Sequence, residues 1–232
     1  MSKINKDKII KFSVVVFITS IVLGCSNSDN PTNSPQISAE GMSLIKSTKS
    51  TVSYVKEGVD FSEFDKVLIL PSAVAFKKNW KRDYNRNSSH DRIQDKDVLR
   101  IKAGVTSLFD EVFKEEFGKD AKFSIVDVVG SNTLIIRPAV INLDIVAPDL
   151  RSASNVKTYA NETGDATLFL ELYDGVSGEI LARVVSASLI GDNGYRGWAN
   201  RLTNTVDAKR TIRKWAKALR IKYDEAHMPK AH

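Results

Sequence analysis

The sequence contains almost no cysteine, since Cys25 is the only thiol among 232 residues. A single cysteine excludes a disulfide within the chain, so the fold has to be stable through packing alone. The sequence has only three histidines, and none pairs with another at zinc-ligand spacing on a predicted helix. Glycine patterns typical of phosphate loops are also missing. We therefore expect neither a metal nor a cofactor.

The chain also lacks a strong excess of one charge. The formal net charge is +6, but residues 1–24 hold four lysines and one aspartate. In the remainder, 30 Lys and Arg face 27 Asp and Glu, an excess of +3. Nucleic-acid binding requires many basic groups gathered on one face, so the composition argues against a nucleic-acid partner.

No apolar run is long enough to span a bilayer. The longest uncharged apolar run is residues 12–23, which would form a helix of about 18 Å against a hydrocarbon core of roughly 30 Å. A lysine-rich start, this short apolar run and a small residue are the three parts of an export signal. We therefore interpret residues 1–24 as a signal peptide.

The motif "VLGC" at the end of this signal resembles the bacterial lipobox, whose cysteine is alkylated with diacylglycerol and then acylated at its new amine. The resemblance implies cleavage between Gly24 and Cys25, with the acyl chains on Cys25. Three chains give a stable anchor where one is marginal. Ser26 follows the cysteine, which implies passage to the outer membrane, with the domain facing the periplasm.

Composition divides the mature chain into three parts. Residues 25–52 are the lipidated cysteine and a tether, because Ser, Asn, Pro and Asp dominate its first half and bury too little apolar surface to fold. Residues 53–226 form a single globular domain, and residues 227–232 form a tail.

Periodicity within 53–226 predicts an α+β two-layer sandwich, a mostly antiparallel sheet of about five strands with two helices on one face. The stretch "QDKDVLRIKAGVTSLFDEVFKEEFG" has apolar positions at helical spacing, with Asp95 or Asp97 as its cap and Gly118 at its end. A last stretch that begins near Asn204 has the same spacing, with Val206 on its apolar stripe. The segment "DATLFLELYDGVSGEILARVVSASLI" alternates on both sides of a glycine turn and predicts a central hairpin.

An apolar strand is predicted from Val67 to Phe76 and another at "KFSIVDVV". Pro71 in the first of these, and Pro138 in a later strand, indicate edges or bulges. In the predicted strand "NTLIIRPAVINLDIVAP", residues 132–148, alternation predicts one buried parity, formed by Ile135, Ala139, Ile141, Leu143 and Ile145.

Three stretches, "YVKEGVDFSEFDKVLILP", "ELYDGVSGEILA" and "DAKRTIRKWAKALR", together with the lipobox, resemble a family of Gram-negative lipoproteins known as a domain of unknown function, DUF3313. The similarity runs from about Tyr54 to Tyr223. The shared motifs are turns and core positions, so they imply fold and location. The resemblance assigns no activity or catalytic residue.

One segment is a candidate contact surface. "KKNWKRDYNRNSSHDR", residues 77–92, places basic residues around aromatic ones, which suits glycan, lipid-phosphate or other anionic groups. The alternative is a plain solvated loop. The candidate contacts are Lys77, Lys78, Trp80, Lys81, Arg82, Tyr84 and Arg86.

The sequence offers no catalytic constellation, so we expect a non-enzymatic binding or scaffold module of the cell envelope, whose partner is an envelope protein or lipopolysaccharide. The alternative is an envelope hydrolase that uses carboxylates carried on strands. An acidic cleft that holds two of these groups would favour the enzyme. The carboxylates in question are Asp127, Asp144, Asp165 and Glu171.

Overall fold

The computed structural model of the chain describes residues 34–88, 92–119, 121–146, 148, 158–160, 164–191, 197–199 and 201–228. These residues form an α+β fold in which a large, mostly antiparallel sheet packs against helices. The predicted fold class is confirmed at this level. Gly24, Cys25 and the whole predicted signal peptide lie outside the described residues.

The described chain contains ten strands, three α-helices and one 3-10 turn at Phe61–Glu63. The strands are β1 Ser43–Ser47, β2 Thr51–Val55, β3 Lys66–Ile69, β4 Ala73–Phe76, β5 Ser124–Ile125, β6 Thr133–Ile145, β7 Thr158–Ala160, β8 Gly164–Asp174, β9 Ile180–Ile190 and β10 Gly197–Ala199. The helices are α1 Trp80–Asn87, α2 Asp95–Phe117 and α3 Arg201–Ala226.

The main sheet has eight described strands, so the prediction of about five was wrong. Its order is β1-β2-β9-β8-β6-β3-β5, and β4 also pairs with β6. The hairpin β8–β9 is central, as predicted, while β3 and β4 run parallel to β6. The strands that were not predicted, β1 and β2, have five residues each and leave too little alternation to be recognised in a sequence. β7 and β10 form a separate two-stranded sheet.

The sheet begins inside the segment that was assigned to the tether. β1 and the first two residues of β2 lie within residues 25–52, and β2 pairs antiparallel with β9. Met42 is fully buried, and the Tyr54 hydroxyl donates to the Pro35 carbonyl at 3.0 Å. The chain is therefore tied to the sheet from Pro35 onward.

Helices α2 and α3 supply the helical half of the core. Phe109, Phe113 and Phe117 stack in sequence along α2, with ring centroids 5.0 and 6.0 Å apart, and all three are fully buried. Each such side chain contributes about 1.5–3 kcal/mol through burial. None of the described helices is both long enough and apolar enough to cross a membrane.

The ends of the two long helices differ slightly from prediction. Gln94 is the N-cap of α2, and Asp97 completes a capping box by accepting from the Gln94 backbone at 3.0 Å. Helix α3 starts at Arg201, before Asn204. Val206 was expected on the buried stripe but is 48% exposed, because six residues along the helix place it about 120° around the axis from Ile212.

A β-bulge reverses the buried side of β6. Leu134, Ile136 and Val140 are buried, so the parity expected for the first half of this strand was wrong. The register then shifts between Ile141 and Asp144, where Asn142 adopts a positive φ of 51°. Beyond the bulge Leu143 enters the core, as expected. One inserted residue moves every following side chain to the opposite face.

Both strand prolines lie at the gap between β3 and β4: Pro71 within the gap and Pro138 opposite it on β6. Pro71 separates β3 from β4, which explains why one predicted strand became two. Pro138 lies in β6, an interior strand, so the expectation of an edge or a bulge at this residue was wrong. Ile136 accepts a hydrogen bond from the Leu70 backbone at 2.9 Å, and Pro138 faces the same side of β6. Its missing N–H therefore falls opposite the gap between β3 and β4.

Candidate functional site

A groove lies between α2 and α3 at one end of the sheet, and we call it the helix groove. As formed by the described residues, it encloses about 310 Å³ and is partly open. Its described floor is apolar and includes Leu108, Val140, Leu143, Ile212 and Trp215. An apolar concavity of this size with a few polar groups at its mouth is typical of ligand sites.

Small residues keep the helix groove open. Gly104 and Ala208 line it from α2 and α3, and a Cβ added at Gly104 would meet no atom within 4 Å. Glycine in the middle of a helix costs about 1 kcal/mol relative to alanine. The sequence analysis did not identify this groove. The signal was present, since a glycine interrupts an otherwise regular helical pattern.

Two of the four candidate carboxylates meet at the bulge of β6. Asp144 pairs with Asp165 across the strands, and Lys77 Nζ lies 3.0 Å from Asp144 and 3.8 Å from Asp165. The hydrogen bond to Asp144 and the charges of both carboxylates raise the pKa of Lys77. Lys77 therefore stays cationic and neutralises part of the acidic pair. Asp144 also borders the helix groove.

Glycine permits the backbone approach that places this acidic pair. A Cβ on Gly164 would lie 2.1 Å from the Asp144 carbonyl oxygen. Without the bulge, Asp144 would share the parity of the buried side chains of β6 and would point into the core. The bulge and Gly164 together bring the carboxylate to the surface beside Lys77.

The fourth carboxylate, Glu171, belongs to a charged row across the sheet face opposite the helices. Arg137, Glu171, Arg183 and Tyr54 lie side by side on β6, β8, β9 and β2. Arg183 donates to Glu171 at 2.8 and 3.1 Å and makes a two-pronged contact with Glu40 at 2.8 and 2.9 Å. The contact with Glu40 is the main cause of the raised pKa of Arg183.

Glu171 is buried, and all of its oxygens are engaged. The Tyr173 hydroxyl donates to it at 2.7 Å, and Arg137 approaches at 3.5 Å. Burial, followed by this hydrogen bond, raises the pKa of Tyr173. Glu171 thus joins three strands, and through Arg183 and Glu40 it also ties the N-terminal segment to the sheet. This row was not predicted, because neighbours across strands cannot be paired until their register is known.

Asp127 lies apart from the other carboxylates. It is almost fully exposed and lies 3.7 Å from Lys114. Ser177 lies in the β8–β9 turn, where its hydroxyl accepts from Glu179 N at 3.2 Å. In the described part of the chain, no group of three or more His, Cys, Asp or Glu is arranged to hold a metal ion.

Segment 77–92 is more ordered than the loop considered from its sequence, because α1 occupies its middle. Trp80 is 5% exposed, stacks on Phe76 at 4.0 Å and donates to the Ile145 carbonyl at 3.3 Å. Trp80 is therefore a packing residue, and Tyr84 lies 6.4 Å from it between ring centroids. Residues 89–91, which include His90, lie outside the described residues.

Several basic groups of this segment are engaged in ion pairs. Lys81 lies 2.6 Å from Asp95, while Arg82 and Arg86 lie 3.1 and 3.8 Å from Asp83. Arg82 and Arg86 keep 66% and 70% of their side chains exposed, and Lys78 is also exposed. Three guanidinium or ammonium groups therefore still face solvent on α1 and its start.

His227 was assigned to the tail, but it packs against α3. Its ring nitrogens lie 2.8 Å from the Tyr223 carbonyl and 3.0 Å from the Phe64 carbonyl. The Tyr223 hydroxyl also donates to Phe64, and burial raises the pKa of Tyr223. The domain thus includes His227, while His232 lies outside the described residues.

Comparison with solved structures finds distant likenesses. Two structures of a PelC dodecamer from Paraburkholderia phytofirmans share 13% and 11% identity with this chain, at TM-scores of 0.34 and 0.33. They cover 73% and 72% of this chain and 97% and 96% of their own. A PDZ domain protein from Parabacteroides distasonis shares 12% identity at a TM-score of 0.39, over 79% of this chain and 36% of its own. Similarity this distant says nothing about the role of this chain.

No curated protein matches the sequence. A family match, by contrast, covers most of the chain, from residue 41 to residue 219, and includes the three stretches whose resemblance was noted from the sequence, apart from Arg220 at the end of the last one. That family is described as a protein of unknown function, DUF3313. The chain belongs to the DUF3313 family.

Proposed function

We propose that this protein is an outer-membrane lipoprotein, anchored by acyl chains on Cys25 and facing the periplasm, which serves as a non-enzymatic binding module of the cell envelope. The helix groove is its binding site and receives an apolar group of an envelope component. The observation that carries this role is the open apolar floor of the groove between α2 and α3. The export signal and the "VLGC" motif support the location.

The electrostatics of the site favour binding over chemistry. Glu171 is held by two arginines and a tyrosine, and Lys77 neutralises part of the acidic pair beside the groove. Exposed Lys78, Arg82 and Arg86 add a basic surface on α1 that suits an anionic envelope component such as lipopolysaccharide phosphate. Trp80 takes no part in this contact, because it is buried.

The anchor is tested in growing cells with a labelled fatty acid. Label should enter the wild-type chain and not the Cys25→Ala variant, which should leave the membrane fraction after processing. Equal membrane retention of both proteins would overturn the anchor.

The binding role is tested by crosslinking in intact cells. A photo-reactive amino acid at Gly104, at the mouth of the groove, should capture an envelope component. The matched control carries the same group at Lys214, which is exposed on the outer face of α3. Identical captures from both positions, or none from Gly104, would contradict the groove as the binding site.

The anionic contact has its own test. Replacing Lys78, Arg82 and Arg86 with Gln should reduce retention of the protein on immobilised lipopolysaccharide. The control replaces the exposed Arg213, Lys214 and Lys217 of α3 with Gln, which removes the same three charges elsewhere. Unchanged retention of the α1 variant would remove this contact from the proposal.

A second candidate is an envelope hydrolase, favoured by the meeting of Asp144 and Asp165 beside the helix groove. Paired carboxylates can serve as general acid and base. Purified protein that degrades an envelope polysaccharide, with activity lost in Asp165→Asn, would establish this candidate. No turnover of such polymers by the wild type would reject it.

A further inference from the structure

The outer edge of the main sheet carries exposed apolar and basic side chains together. Ile37 and Ile45 are 64% and 66% exposed, and Lys46 and Lys49 are exposed next to them. We call these four residues the edge surface. Neither lysine makes an ion pair with another residue in the described part of the chain. An edge lysine alone is a common protection against strand pairing, but it does not explain the two isoleucines.

Local structure holds the edge surface together. The segment around Ile37 turns back at Gly41, which has a φ of 79°, and Ile37 forms a bridge with Ser43 on β1. Leu44 donates to the Gln36 carbonyl at 2.9 Å, which fixes the segment along β1. Ile45 lies at a bulge of β1 and is displaced from the regular ladder. The side chains are thus presented by ordered backbone.

The edge surface lies where the chain enters the fold. The chain is already fixed at Pro35 by Tyr54, so only residues 26–33 separate Cys25 from the first described residue. Fully extended at about 3.3–3.6 Å per residue, this stretch reaches at most roughly 32 Å. An anchor on Cys25 therefore holds this edge close to the membrane.

The opposite edge of the sheet is much farther from the entry point. Six strand spacings of about 4.8 Å separate β1 from β5, a distance of roughly 29 Å. Val128, just beyond β5, is 78% exposed. Val128 is therefore a control position: it is an exposed apolar residue of the same domain, but the anchor does not hold it near the membrane surface.

We propose that the edge surface rests on the membrane that carries the anchor, with Ile37 and Ile45 among the lipid headgroups and Lys46 and Lys49 against lipid phosphates. This inference rests on the proposed lipid anchor. Apolar side chains flanked by lysines suit an anionic membrane surface, because the interface accepts the alkyl groups while phosphates pair with the ammonium groups. The domain is then held in one orientation rather than swinging freely.

The test uses the acylated full-length protein in vesicles of phosphatidylethanolamine and phosphatidylglycerol. Because Cys25 is the only thiol and is blocked by lipid, Ile45→Cys introduces a single reactive site for an environment-sensitive fluorophore. Its emission should shift to the blue in vesicles and be quenched by brominated lipid. The same fluorophore on Val128→Cys should show neither change.

Equal exposure of both positions to an aqueous quencher would overturn the proposal. Shielding of position 45 without quenching by brominated lipid would also overturn it, because the cover would then be a second copy of the chain. Mass spectrometry of the starting protein shows whether it is acylated, and this separates a failure of the proposed function from a failure of this inference. A chain without acyl groups removes both the proposed function and this inference, whereas an acylated chain with an exposed position 45 removes only the latter.

A charge variant tests the lysines. Lys46→Gln with Lys49→Gln should weaken the blue shift at position 45 several-fold in anionic vesicles. Lys214→Gln with Lys217→Gln removes the same charge from the outer face of α3 and should leave the shift unchanged. Equal shifts in the two double variants would contradict contact between the edge lysines and lipid phosphates.

Discussion

Substitutions at Gly104 should separate stability from binding. Gly104 lies within α2, and a Cβ added there would meet nothing within 4 Å. Gly104→Ala should therefore gain about 0.8–1 kcal/mol from helix propensity without any clash. For a domain of this size, that gain corresponds to a rise in Tm of roughly 2–4 °C.

A larger side chain at the same position should fill the groove that glycine leaves open. Gly104→Leu should keep or increase the gain in Tm, since its side chain can pack on the apolar floor near Leu108 and Trp215. It should also weaken binding of an apolar fluorescent probe by at least tenfold, because the groove of about 310 Å³ loses much of its mouth. Thermal unfolding and probe titration on the same samples measure both effects.

The control for this experiment is the neighbouring residue of the same helix. Ala103 is exposed and does not line the helix groove, so Ala103→Leu adds a similar side chain outside it. This variant should bind the probe like the wild type. A lower Tm for Gly104→Ala than for the wild type would show that a Cβ at this position is not free of contacts. Undiminished probe binding by Gly104→Leu would show that the probe does not bind in the helix groove.

Three further predictions concern the framework around the site. Gly164→Ala should destabilise the domain by at least about 4 kcal/mol or prevent folding, because the added Cβ would overlap the Asp144 carbonyl. Soluble expression and urea denaturation measure this loss. A stability near that of the wild type would contradict the bulge geometry. Trp80→Ala should lower the free energy of unfolding by about 3–5 kcal/mol, whereas Trp80→Phe, which keeps a ring against Phe76, should lower it much less. Urea denaturation measures both losses, and equal losses would argue against the stacking. The pKa of Asp174 is lowered chiefly by the backbone N–H groups of its turn, so its stabilising effect is present above the unfolded pKa and is lost as pH falls through the lower folded value. Asp174→Asn should therefore unfold more easily near neutral pH, and its stability should fall less steeply as the pH is lowered. Urea denaturation across this pH range measures the stability of both proteins. Parallel pH profiles for the variant and the wild type would contradict the prediction.

The long elements of the fold were predictable because their burial patterns are regular. The apolar spacing from Val98 to Phe113 predicted α2, and alternation across the glycine turn predicted the hairpin β8–β9. Both patterns repeat often enough to exceed chance. The short strands β1 and β2 contain too few repeats, and α1 is a polar helix that buries mainly Trp80.

Other features depend on information that a pattern does not contain. Alternation in β6 predicted a single buried parity, but the bulge at Asn142 divides the strand into two halves of opposite parity. Asn tolerates a positive φ, so the residue permitted the bulge without requiring it. The meeting of Asp144 with Asp165, and of Glu171 with Arg183, depends on strand register, which is set by the whole sheet.

The pairing of β2 with β9 affects how the protein can be made. A ribosome synthesises the partner of this early strand about 130 residues after the strand itself, and contacts so remote in sequence slow folding. An unfinished chain therefore leaves β1–β2 without its neighbour and its hydrogen-bonding edge open to other molecules. Such a nascent chain has to be shielded until nearly all of it has emerged, and shortening it from the carboxyl end should trap an aggregating fragment rather than a smaller domain.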